Sequence, residues 1–147
     1  MGEVWGLAVS PNSNQFATCG GDKTIRIWGV DKMYTAKIIR HDLRAIDWSN
    51  NGLFIVVGTV NGQIISYNPK SLEKLDTYQS SFKKPKQWIE DIKISPDNSM
   101  VAFGAHGGVS PIEVLSISET GKEMRAKVNS VTIYFIILLV HYKWRSN

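Results

Sequence analysis

Leu7-Ala8-Val9-Ser10-Pro11-Asn12 decides the fold, because its pattern returns twice further along the chain. Ile46-Asp47-Trp48-Ser49-Asn50-Asn51 and Ile92-Lys93-Ile94-Ser95-Pro96-Asp97 place apolar residues three positions and one position before the same serine. Ser10, Ser49 and Ser95 stand 39 and 46 residues apart. Apolar residues at alternate positions mark a strand with one buried face. Each serine is followed by turn chemistry: Pro11-Asn12, Asn50-Asn51-Gly52 and Pro96-Asp97-Asn98. These residues preset φ or tolerate left-handed backbone.

A second strand follows each turn in register: Phe16-Ala17-Thr18-Cys19, Ile55-Val56-Val57-Gly58 and Val101-Ala102-Phe103-Gly104. The small residues Ala17, Ala102, Gly58 and Gly104 suit strands that crowd a common axis. Gly21-Asp22-Lys23 and Asn61-Gly62 are tight hairpin signals. They lead to third strands that end in an aromatic residue, Ile25–Trp28 and Ile64–Tyr67. In the third repeat the turn His106–Pro111 is longer and pushes the third strand to Ile112–Ile117. Outer fourth strands are expected at Tyr34–Ile39 and Leu72–Tyr78. The period predicts an all-β fold of three four-stranded units, with repeats at 3–40, 41–79 and 86–126. Units of this kind bury their apolar faces by stacking on their neighbours.

Composition agrees with that picture. Of 147 residues 43% are hydrophobic and 20% charged, which is globular rather than disordered. The net charge of +4 resides mainly in the last 21 residues, since residues 1–126 balance 14 Lys/Arg against 13 Asp/Glu. A near-neutral body predicts no nucleic acid and no membrane as partner. The single cysteine, Cys19, allows no internal disulfide and fits a reducing cytosol. Met1-Gly2-Glu3-Val4-Trp5 has neither the basic start nor the apolar run of a signal peptide. Residues 127–147 align with no repeat, and their apolar run, Ile133–Val140, is far short of the roughly 20 residues needed to span a bilayer. They are read as a non-repeat apolar tail, and the chain as a piece of a larger gene product.

Gly20-Gly21-Asp22-Lys23-Thr24-Ile25-Arg26-Ile27-Trp28 resembles the WD40 signature, with Trp28 in the Trp position. The whole is similar to a partial WD40 β-propeller of about three blades. Glu3-Val4-Trp5-Gly6-Leu7-Ala8-Val9-Ser10-Pro11, followed by Phe16–Gly20, resembles a recurrent blade of the echinoderm microtubule-associated protein-like (EMAP-like) family. Ile55–Gly62, and Ile94–Asp97 with Val101–His106, resemble its next two blades in order. The resemblance implies a non-enzymatic scaffold, cytoplasmic and cytoskeleton-associated, that binds tubulin or microtubules. The alternative is a generic WD40 protein-protein adaptor of ciliary or ubiquitin-ligase complexes. The hydrophobic motif and coiled coil usual in the family are not in this sequence.

The resemblance also implies a structural network of Thr18, Asp22 and Trp28, whose histidine would lie before Met1. In the second repeat Val57 and Asn61 replace the Thr and Asp, so its network is expected to be lost. No catalytic, cofactor-binding or metal site is predicted. His41-Asp42 has no nucleophile at a recognisable motif and is assigned to a loop. His106 and His141 are isolated, without ligand spacing. Gly104–Gly108 lacks the lysine of a phosphate loop, and no small-molecule substrate is expected. Cys19 is read as a small core residue. The one stretch with partner-binding character is Phe82–Trp88, in which Lys83, Lys84 and Lys86 accompany Trp88. Three cations beside aromatics suit an acidic peptide.

Overall fold

A computed structural model describes residues 2–82, 87–106 and 112–126. Lys83, Lys84 and Lys86, the turn residues 107–111, and the apolar tail 127–147 with His141 lie outside the described residues. The described strands form three antiparallel four-stranded sheets, each a simple meander. The first holds β1 (Val4–Val9), β2 (Gln15–Gly20), β3 (Thr24–Gly29) and β4 (Met33–Ile38). The second holds β5 (Leu43–Trp48), β6 (Ile55–Thr59), β7 (Gln63–Tyr67) and β8 (Lys74–Gln79). The third holds β9 (Ile89–Ile94), β10 (Met100–Ala105), β11 (Ile112–Ile117) and β12 (Met124–Ala126).

The recurring serine has a concrete job. Ser10 Oγ donates to Asn12 Oδ1 at 2.6 Å and accepts the Gln15 N–H at 3.1 Å. Ser49 does the same with Asn51 and Phe54, and Ser95 with Asp97 and Met100. A small buried hydroxyl thus closes each first hairpin by local side-chain bonding. Three residues after each serine the backbone turns left-handed, at Ser13 (φ 59°), Gly52 (φ 75°) and Asn98 (φ 62°).

Both outer strands shift: β4 starts one residue early, at Met33 rather than Tyr34. β8 opens at Lys74 rather than Leu72 because Leu72 is itself left-handed (φ 54°) and donates its N–H to the Asn68 carbonyl. The Asn68 side chain accepts the N–H groups of Lys70 and Ser71, forming a turn that holds the chain out of the sheet.

The sheets stack as blades through two apolar cores. Ala8, Ala17, Cys19, Ile25 and Ile27 meet Ile46, Trp48, Ile55, Val57 and Tyr67 between the first and second blades. Phe54, Val56 and Ile64 meet Ile89, Ile92, Ile94, Phe103 and Leu115 between the second and third. Polar ties reinforce the second junction: Asp47 Oδ2 accepts the Ile94 N–H (2.7 Å), Asn98 Oδ1 the Asn50 N–H (2.7 Å), and Asp76 Oδ2 the Met124 N–H (2.7 Å). Ser66 Oγ donates to the Gly121 carbonyl at 2.6 Å.

The first blade presents the same packing face, uncovered by any of the described residues. Leu7 and Val9 are 59% and 54% exposed, whereas Ile46 and Ile92, in the same register, are 4% and 1% exposed. Phe16 and Trp28 stack on that face with ring planes 9° apart.

Candidate functional site at the blade rim

At the end of each first strand opposite the serine turn, the ladder slips by one residue. The pairing jumps from Val4 to Gly6 in β1, from Leu43 to Ala45 in β5, and from Ile89 to Asp91 in β9. Trp5, Arg44 and Glu90 are the extra residues of these bulges. Bulges re-aim a side chain out of the ladder, and three in equivalent places bring three successive blades to one rim. Each lies five positions before its serine, so the alignment on Ser10, Ser49 and Ser95 contained the signal. Sequence reasoning missed it because a bulge breaks the alternation that finds strands.

These side chains form a ladder across the blades. The Arg44 guanidinium carbon lies 4.2 Å from the Trp5 ring centroid and 5.2 Å from that of Trp88. The His106 ring stacks on Trp88 at 4.3 Å with planes 4° apart. Trp88 Nε1 donates to Glu90 Oε2 at 2.6 Å, and His106 Nδ1 lies 3.8 Å from the same oxygen. Trp88, expected beside the lysines as a partner-binding residue, packs against both Arg44 and His106 within the protein. Arg44 differs: its Nε is buried, and among the described residues the guanidinium donates no hydrogen bond and joins no ion pair.

The Thr18, Asp22 and Trp28 trio is brought together only in part. Trp28 Nε1 donates to Thr18 Oγ1 at 2.9 Å. Asp22 instead caps its own hairpin by accepting the Thr24 N–H (3.2 Å) and pairs with Arg26 at 2.7 Å. In the second repeat Asn61 Nδ2 donates to His41 Nδ1 at 2.9 Å. Val57 brings no hydroxyl, so the Trp28–Thr18 bond of the first blade has no counterpart there. Burial pushes the Cys19 thiol up to about 12, so it stays a neutral core group. Among the described residues no group of three or more His, Cys, Asp or Glu is arranged to hold a metal ion.

Two turn carboxylates carry a pH signature. The Arg26 hydrogen bond holds Asp22 below its ordinary 3.8, and the Ser95 hydroxyl, with Ser99, does the same for Asp97. A depressed native value adds stability above the unfolded value and loses it as pH falls through the native one. The urea midpoint should therefore drop as pH is lowered from neutral through 3.8 and below. An Asp22→Asn/Asp97→Asn variant should start lower and show a shallower acid loss. The same acid slope in both proteins would remove these groups as its source.

Three stacked four-stranded meanders, each closed by a Ser-Asx turn, make an array of successive propeller-like blades. The family model for the WD domain, G-beta repeat, matches residues 1–29. Human echinoderm microtubule-associated protein-like 2 is 27% identical over 124 residues, covering 83% of this chain and 18% of that protein. The 77 kDa echinoderm microtubule-associated protein of Strongylocentrotus purpuratus is 24% identical over 123 residues, covering 82% and 17%. Human echinoderm microtubule-associated protein-like 1 is 24% identical over 123 residues, covering 82% and 14%. The chain thus spans under a fifth of the length of these relatives.

Proposed function

We propose that this chain is part of a non-enzymatic WD40 scaffold of the EMAP-like kind, cytoplasmic and cytoskeleton-associated, that holds tubulin or microtubules. The likeness of more than four-fifths of the chain to proteins named for microtubule association carries this reading. Lys83, Lys84 and Lys86 are the contacts we assign to an acidic partner, three cations within four residues. No helix among the described residues is long and apolar enough to cross a membrane.

The test is co-sedimentation of the chain with microtubules at two salt concentrations. Binding should weaken as salt rises, because surface charge pairs are screened beyond ~8 Å at physiological ionic strength. Each exposed pair contributes about 0–1 kcal/mol, so Lys83→Glu/Lys84→Glu/Lys86→Glu should weaken binding roughly tenfold at low salt. A chain that fails to pellet with microtubules would end the proposal. A triple variant that pellets like the wild type would remove the lysines from the contact.

A further inference from the structure

We propose that Arg44 is a carboxylate-binding site, its guanidinium held between the indoles of Trp5 and Trp88 to take the side-chain carboxylate of an acidic peptide. A buried N–H is nearly always bonded, and an arginine carries one such group on Nε and four more at its fork. Arg44 Nε is buried and has no hydrogen-bond partner among the described residues. Among the described residues it lies over two rings, 4.2 and 5.2 Å away. Stacking on an indole leaves the N–H edge free for in-plane acceptors, and it removes the rotamer freedom that binding would otherwise cost. Two walls and a fixed fork describe a slot for a flat, bidentate anion.

Carboxylate is favoured over phosphate for two reasons on the same rim. Arg44 is the one cation among the three bulge residues, and Glu90 occupies the equivalent place on the next blade. A doubly charged phosphate meets that carboxylate with about twice the repulsion of a singly charged group. The indole walls also fit a planar group better than a tetrahedral one. Glu90 does not itself fill the slot, since its Oε2 is engaged by Trp88 Nε1.

The proposal stands on the rim geometry and does not require the partner to be a microtubule. Co-sedimentation tests that reading, and a peptide titration tests this one. A short oligoglutamate peptide is titrated into the full chain and followed by tryptophan fluorescence, since Trp5 and Trp88 flank the site. Wild type should give a saturable change, and Trp5→Phe or Trp88→Phe should diminish the signal. Arg44→Gln should weaken binding about tenfold or more, the loss typical of a hydrogen bond to a charged group. Arg44→Lys keeps the charge and loses the fork, so it should recover little of it. Urea midpoints establish that each variant is folded; should Arg44→Gln unfold, Arg44→Lys decides the matter. Wild-type affinity in either arginine variant would overturn the proposal. So would oligoglutamine binding as tightly as oligoglutamate, or a phosphopeptide binding more tightly than either.

Discussion

Replacing Phe54 by Ala should cost the chain about 3–5 kcal/mol, the range for losing a buried phenylalanine ring. Phe54 is fully buried in the core between the second and third blades. Its backbone is tied on both sides to Ser49, through an N–H donated to the hydroxyl and a carbonyl that accepts the Ser49 N–H. The ring reaches the next blade at Gly121, where an added Cβ would lie 2.6 Å from Phe54 Cγ. Gly121 is left-handed (φ 73°) and its carbonyl accepts the Ser66 hydroxyl, so neither side can easily collapse into the gap. Domains are stable by only about 5–15 kcal/mol, so the loss is a large share of the total. The neighbouring Leu53, 52% exposed, is the control, and Leu53→Ala should stay within about ±0.5 kcal/mol. Urea unfolding of the two variants makes the comparison. Equal midpoint shifts would show that this junction does not hold the blades.

The blades were legible because three levels of pattern agree at the serine anchors. Ser10, Ser49 and Ser95 mark the turns, and the residues before them alternate between faces, so β1, β5 and β9 fall where the spacing places them. What escaped was whatever departs from period two. Trp5, Arg44 and Glu90 sit on bulges, where the register slips and a side chain leaves both faces. Stacking Arg44 between two indoles also depends on how adjacent blades meet, which a repeat alignment does not contain. Asn61 shows the same limit on a smaller scale. Its amide donates to His41 Nδ1 at 2.9 Å, where a carboxylate could only accept, and an alignment shows the substitution but not the contact. The start of β8 was misplaced because Asn68 bonds the following N–H groups, an arrangement that one Asn in a polar loop does not announce.

Gly58→Ala should destabilise the chain by about 1–3 kcal/mol, the usual cost of overpacking a filled core. The small residues near the inner strands predict close approach, and Gly58 is where that prediction is sharpest. An added Cβ would lie 2.4 Å from Ile89 Cγ2 and 2.6 Å from Ile89 Cβ, far inside van der Waals contact. Ile89 cannot swing away, since it is fully buried and branched at Cβ, which restricts χ1. Gly58 is not among the left-handed glycines, so the substitution brings no backbone strain. On entropy alone it would stabilise by about 0.4–1 kcal/mol, through a less flexible unfolded chain. The two effects have opposite signs, so the direction of the shift identifies the cause. If the Ile89 contact is responsible, Gly58→Ala and Ile89→Ala should not add. The double variant should be more stable than the sum predicts by more than the ~0.5 kcal/mol tolerance of independent sites. A stabilised Gly58→Ala, or strict additivity, would mean the blades have room at this junction that the close contact between β6 and β9 denies.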